Sequence, residues 1–326
     1  MITDEKSIIK IKTETDGGVS VIIECASRIN GVKFTASDPR GAQTSVDLSV
    51  DGNRANGFFR IAKPALWSVD SPVLYGFSVI ISTQNGEETA AGKFGFRTLS
   101  TTGGNVCLNG SPIFIRGYIR GATAHEHSNN AGLSETEFYR KNISEAKKFG
   151  FNLVRFHSVV PNETFLNVAD ELGILVHIEL RPPHDIYNNL EEMVTTGNAV
   201  VNDDFLEEVI NRGYNHPSLA VYCIGNEIKN APDGTIHAIK EKIDALDGTR
   251  LFLDTCAWGE NGRPDIDIDV QHLSYYFPFG KHARMYDDTG NLLVVGHSED
   301  KPLKTDGLNA GISKTLRFSV PLIAHE

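Results

Sequence analysis

One stretch constrains this chain more than any other: Asn215-His216-Pro217-Ser218, then Leu219-Ala220-Val221-Tyr222-Cys223-Ile224, then Gly225-Asn226-Glu227. Apolar or small residues follow the Pro-Ser break without a polar interruption, so the segment turns neither face to water. A strand buried on both faces belongs in a parallel sheet with helices packed outside it. The run stops on an amide and a carboxylate at the strand tip. Taken alone, Glu227 has a plain explanation as an acidic residue opening the next helix, and the rest of the chain must decide between that and chemistry.

From about residue 105 onward, strand and helix patterns alternate. Leu108-Asn109-Gly110-Ser111-Pro112 reads as a hairpin turn leading into a strand over 113–118. A helix is expected over 134–149, opened by the capping box of Ser134 and Glu137 and stopped before Gly150. Strands follow over 151–157 and 174–179, separated by a helix over 162–172 that closes at Gly173. A helix near 203–214 precedes the strand at 219, and a helix over 234–246 leads to strands over 251–255 and 270–276. A seventh strand ends the chain at Glu326. This βα order predicts a (β/α)₈ TIM barrel, truncated after strand 7.

The first hundred residues follow a different pattern. Short runs rich in β-branched and aromatic residues (8–13, 19–24, 32–35, 45–48, 77–82) are punctuated by Gly17-Gly18, Asp51-Gly52 and Asn85-Gly86. About seven such strands predict an immunoglobulin-like β-sandwich over 1–100, followed by the barrel over 105–326, with the loose Ser100-Thr101-Thr102-Gly103-Gly104 between them.

Composition excludes some partners. With 42 acidic against 31 basic residues among 326, the net charge is -11 and no basic stripe is present, which argues against a nucleic-acid partner. No apolar run has the length to cross a bilayer, so no membrane partner is expected. The four cysteines are widely spaced and lie mostly in apolar runs, as buried free thiols do. The N-terminus lacks a basic region leading into an apolar one, so a cytoplasmic location is expected if Met1 is the natural start. Oligomeric state is left open.

Polar residues gather where the barrel strands end: Arg116 and Arg120, Arg155 and His157, Glu179 and Arg181, Asn226 and Glu227, then His272, Tyr275 and Tyr276, and finally Glu326. Strands four and seven face each other across an eight-membered ring, so Glu227 and Glu326 approach one cleft from opposite sides. Two opposed carboxyl groups suit cleavage of a glycosidic bond. One protonates the departing oxygen while the other attacks the anomeric carbon, with retention when they stand about 5–5.5 Å apart.

These residues also carry a resemblance. The stretch from Asn215-His216-Pro217-Ser218 to Gly225-Asn226-Glu227 resembles the acid/base motif of glycoside hydrolase family 2, the family of β-galactosidases, β-glucuronidases and β-mannosidases. Leu66-Trp67-Ser68-Val69-Asp70-Ser71-Pro72-Val73-Leu74-Tyr75 and Phe94-Gly95-Phe96-Arg97 are similar to the end of that family's immunoglobulin-like domain. Asn152-Leu153-Val154-Arg155-Phe156-His157 with Ala169-Asp170-Glu171-Leu172-Gly173 matches its second barrel strand and helix. The resemblance implies a retaining exo-β-glycosidase acting on terminal β-linked sugars, β-galactoside preferred. Glu227 would be the acid/base, Glu326 the nucleophile, and Asn226 the partner of the sugar 2-hydroxyl. Arg155 and His157 would line the sugar subsite, and Tyr275 or Tyr276 would hold the nucleophile ionised.

Other residues carry two or more readings. Trp258 is a sugar-stacking platform or a packing residue. His125-Glu126-His127 is a metal or substrate loop, or solvated. Glu179 is a supporting partner, a cation ligand or an ion pair for Arg181. No cofactor is required; a divalent or monovalent cation is left open. Family members generally carry a jelly-roll domain ahead of the sandwich and an eighth barrel strand, so the chain is expected to be a fragment. The alternative function is a noncatalytic glycan-binding or assembly module derived from a truncated glycosidase.

Overall fold

A computed structural model describes residues 7–102, 104–120, 132–157, 159–180, 203–226, 233–256, 265–272 and 320–325. Eight strands form the N-terminal sandwich: β1 (Ile8–Thr13), β2 (Gly18–Glu24), β3 (Ile29–Ser37), β4 (Gln43–Asp47), β5 (Ser49–Asp51), β6 (Arg54–Arg60), β7 (Tyr75–Thr83) and β8 (Gly86–Phe94). They pair into two antiparallel sheets of order β1-β2-β6-β5 and β4-β3-β7-β8. Val19, Val21, Ile23, Phe34, Val79 and Ile81 fill the space between the sheets. Their alternate neighbours face outward, as expected of antiparallel sheets with one wet face. The count is eight where the sequence suggests about seven. The short β5 is exposed along its length, so it carries no apolar alternation to betray it.

A small antiparallel sheet connects the two halves: β9 (Leu99–Thr102), β10 (Asn105–Leu108) and β11 (Ser111–Pro112). The predicted hairpin is present. Asn109 and Gly110 both sit in the left-handed region, at φ 55° and 77°, so that Leu108 pairs with Ser111. Residues 100–102, which read as loose linker, instead pair with β10.

The second half alternates as its sequence predicts: β12 (Gly117–Arg120), α1 (Glu135–Lys148), β13 (Leu153–Phe156), α2 (Glu163–Leu172), β14 (Leu175–Glu179), α3 (Asp203–Gly213), β15 (Leu219–Asn226), α4 (Asp233–Asp247), β16 (Leu251–Cys256), β17 (Asp269–His272) and β18 (Leu322–His325). β12 to β16 form one parallel sheet in chain order, and β17 pairs with β18 in parallel. Local chemistry sets the helix ends. The Ser134 hydroxyl accepts from the Glu137 N–H while the Glu137 carboxylate takes the Ser134 N–H, and Gly173 closes α2 at φ 73°.

Strands β13 to β16 divide their side chains between two cores. Val176, Tyr222, Ile224 and Phe252 face the helices with Ile143 and Phe165. Leu175, Val221, Cys223 and Leu253 face inward, with Leu153 and, from the connecting segments, Trp67, Val106 and Leu108. All eight residues of β15 are buried, as an uninterrupted apolar run requires. No helix among the described residues is long and apolar enough to cross a membrane.

The first barrel strand starts later than expected, at Gly117 rather than 113. Asn152 explains this, because its amide donates to Phe114 O and accepts the Arg116 N–H, so sheet pairing begins only at Gly117 opposite Leu153. Arg116 therefore lies at the N-terminal end of its strand, where its Nε donates to Gly150 O at 2.7 Å. It does not belong to the group of residues at the strand tips.

Candidate active site

The C-terminal ends of β13, β14 and β15 bring three polar side chains together. Arg155, Glu179 and Asn226 are 2%, 0% and 3% exposed, so water contributes little to satisfying them. Arg155 donates from Nε and Nη2 to Glu179 Oε1, both at 2.7 Å, and from Nη2 to Asn226 Oδ1 at 2.6 Å. The planar guanidinium thus spans three adjacent strands through charge-assisted hydrogen bonds. A buried charge is tolerated only when paired in this way. The Arg155 bond also fixes the Asn226 amide, because an oxygen and not an NH₂ must face a guanidinium.

His177, in register with Arg155, and Cys223, in register with Glu179, face the same interior. Burial, and then the nearby Arg155 charge, push the His177 imidazole well below its ordinary proton affinity, so it is neutral at physiological pH. Strand parity explains the grouping: His177 and Glu179 alternate on β14, and Glu179 registers opposite Cys223 on β15. The donor atoms of His177, Glu179 and Cys223 lie within 4.8 Å of one another, a set able to hold a metal ion among the described residues.

The structure sorts the sequence-derived candidates. Arg155 and Asn226 meet, and Glu179 takes Arg155 as its partner. His157 follows the last residue of β13, half-buried, with its N–H on Arg120 O at 2.8 Å. Arg120 turns to the helix side, where Phe138, Tyr139, Phe156 and Phe165 surround its guanidinium at 5.4–5.9 Å. This aromatic setting, rather than the cleft, accounts for Arg120. Glu227, Glu326, Tyr275, Tyr276, Trp258, Arg181 and the segment His125-Glu126-His127 lie outside the described residues. The sequence marks His177 only weakly, because it is a single polar residue within an apolar run; only its parity with Glu179 sets it apart.

The motif that begins at Asn215 divides into two ends with different work. Asn226 lies at the C-terminal tip, whereas Asn215 to Ser218 lie at the opposite end. There the Asp170 carboxylate of α2 binds His216 Nδ1 at 2.6 Å and the Ser218 N–H at 2.9 Å. Trp67 of the sandwich side donates its indole N–H to Asp170 O at 2.9 Å. Asn215 completes the edge strand β1, accepting from the Ile11 N–H at 2.9 Å and donating to Ile9 O at 2.7 Å. This half of the motif ties the sandwich to the barrel.

A β-sandwich leading into a parallel barrel, with its polar cluster at the strand C-termini, defines the TIM-barrel proteins that carry their site on that face. Two family models make the assignment specific: "Glycosyl hydrolases family 2" matches residues 2–97, and "Glycosyl hydrolases family 2, TIM barrel domain" matches residues 99–292. The chain belongs to glycosyl hydrolase family 2. It is similar to a β-galactosidase of Aeromonas hydrophila subsp. hydrophila, 28% identical over 237 residues, covering 69% of this chain and 22% of that one. A putative β-glucuronidase of Formosa agariphila is 30% identical over 193 residues, covering 57% and 22%. In structure, β-D-glucuronidase of Dictyoglomus thermophilum superposes with a TM-score of 0.63 at 19% identity, covering 83% of this chain and 48% of that one, a likeness of fold. The chain thus spans about a fifth of the length of these two sequence relatives.

Proposed function

We propose that this chain carries the active-site strands of a retaining β-glycosidase acting on terminal β-linked sugars, with β-galactosides the preferred class. The observation that carries the reading is the buried Arg155–Asn226 bond, with Glu179 behind it, at the C-terminal ends of β13 to β15. A guanidinium that holds Asn226 by its oxygen leaves the amide Nδ2 as the group for a ligand, and an N–H donor is what a sugar 2-hydroxyl oxygen accepts from. Bonds to that hydroxyl strengthen as the oxocarbenium-like transition state forms. Glu227, next along the chain from Asn226, acts as general acid and then general base. Glu326, next after β18, acts as nucleophile, forming the covalent glycosyl-enzyme that water then hydrolyses. Tyr275 or Tyr276 hydrogen-bonds the nucleophile and keeps it ionised; His157 lines the sugar subsite and Trp258 offers a stacking face. Similarity to proteins named β-galactosidase and β-glucuronidase supports the substrate class.

The test is hydrolysis of aryl β-galactoside, glucuronide, mannoside and glucoside by this chain and by a form extended past residue 326, each with and without Glu227→Ala. Cleavage of one glycoside with retained anomeric configuration by NMR, abolished by Glu227→Ala, is the expected result. Folded protein in both forms with no turnover of any glycoside would overturn it.

A further inference from the structure

We propose that His177, Glu179 and Cys223 form a binding site for a thiophilic divalent cation of the zinc type. Three observations support this. The donor atoms are an imidazole nitrogen, a carboxylate oxygen and a sulfur, already within 4.8 Å of one another. Donors around a tetrahedral zinc stand about 3.3–3.8 Å apart, so side-chain adjustments of about 1 Å close the set. The sheet itself places them, because His177 and Glu179 share one face of β14, just past a register shift at Val176/His177, and Cys223 is the registered neighbour of Glu179 on β15. Cys223 is fully buried and forms no disulfide, so the strand itself holds the sulfur in place. Sulfur in the set selects zinc or its analogues over magnesium and calcium, which prefer all-oxygen sites. Binding displaces the thiol proton to solvent and forms a metal–thiolate bond, with no change of oxidation state.

The site shares Glu179 with Arg155, so an ion there and the Arg155–Glu179 pair compete for one carboxylate. Occupancy therefore loosens the group that orients Asn226. Where the glycosidase reading also holds, zinc is an inhibitor that loses its effect when Cys223 is replaced; cation binding itself does not depend on that reading.

Cobalt(II) titration of the whole chain under reducing conditions tests binding without any substrate. One equivalent should give a thiolate-to-cobalt charge-transfer band that zinc bleaches. Cys223→Ser should abolish the band and weaken zinc binding by at least about 100-fold, the upper end for loss of a supporting residue, while Cys107→Ser keeps both. A folded wild-type chain that shows no band, or a band that survives Cys223→Ser, overturns the proposal. Should Cys223→Ser fail to fold, zinc-edge X-ray absorption of the wild-type chain decides: one sulfur at about 2.3 Å supports the site, and a shell of nitrogen and oxygen alone overturns it.

Discussion

Asn226 shows how much a single side chain depends on its neighbours. Its amide is oriented by Arg155, and Arg155 is in turn neutralised by Glu179. Asn226→Ala should lower kcat/KM on an aryl β-glycoside by about 10²–10³-fold, the scale of one transition-state donor. The same variant should lose little on the 2-deoxy substrate, which lacks the partner hydroxyl; equal losses on both would remove the assigned contact. Glu179→Gln strands a buried guanidinium, so it should destabilise the fold by about 3–5 kcal/mol in denaturant unfolding. Replacing Arg155 and Glu179 together by Met should recover most of that loss, because the uncompensated charge is gone. At this scale the sequence was informative about residue type and silent about pairing. Arg155 and Asn226 stand out as polar residues at strand ends, but Glu179 is as compatible with Arg181 as with Arg155 until β13 and β14 are placed side by side.

Elements in this chain are stabilised at their ends, where unpaired backbone groups gather. Gly173 ends α2 in the left-handed region, and a Cβ there would meet Val69 O at 2.6 Å. Gly173→Ala should therefore cost more than about 1 kcal/mol, through both strain and collision, measured by thermal unfolding. The turn between α4 and β16 carries a buried ion pair, Asp247 with Arg250 at 2.8 Å, which also receives the Tyr222 hydroxyl. Burial pushes the Asp247 carboxyl up, but Arg250, Thr249 and Arg97 outweigh it and hold it below its ordinary 3.8. A depressed carboxylate contributes stability that is complete above the unfolded value and is lost as pH falls through the folded one. Stability should thus decline in acid below about pH 4, and Asp247→Asn should flatten that decline while lowering stability at neutral pH; an unchanged acid slope would exclude the pair as its source. The capping box, the Asn109-Gly110 hairpin and the αL glycine were legible because each is written within a few residues. β5 was not, because exposed strands are specified by their partners rather than by their own pattern.

Across the whole molecule, Arg97 joins the sandwich to the barrel. Its guanidinium donates to Pro217 O, Leu219 O and Thr249 O, and burial together with Arg250 pulls its pKa down to about 9, so it stays charged at neutral pH. With Trp67 and Asn215 it should make sandwich and barrel unfold together. Arg97→Met should lower stability by about 1–3 kcal/mol for each carbonyl left without a donor, and should separate the urea transitions seen by tryptophan fluorescence and by far-ultraviolet circular dichroism. Retained coincidence of the two probes would show that the other contacts suffice. By itself the sequence determined the kind and order of the elements: apolar period, caps and turns are local, and they were enough to specify a sandwich followed by βα units. Only the tertiary structure decided which polar residues meet. Arg155 is 24 residues from Glu179 and 71 from Asn226 along the chain; the parallel sheet sets Arg155 level with His177, two residues before Glu179, and the long arginine side chain spans the rise to Glu179 and Asn226. The same sheet sent Arg120 to the helices, kept Arg116 at the strand's beginning and turned His177 and Cys223 to one inner face, because a shift of one residue exchanges the two faces of a strand.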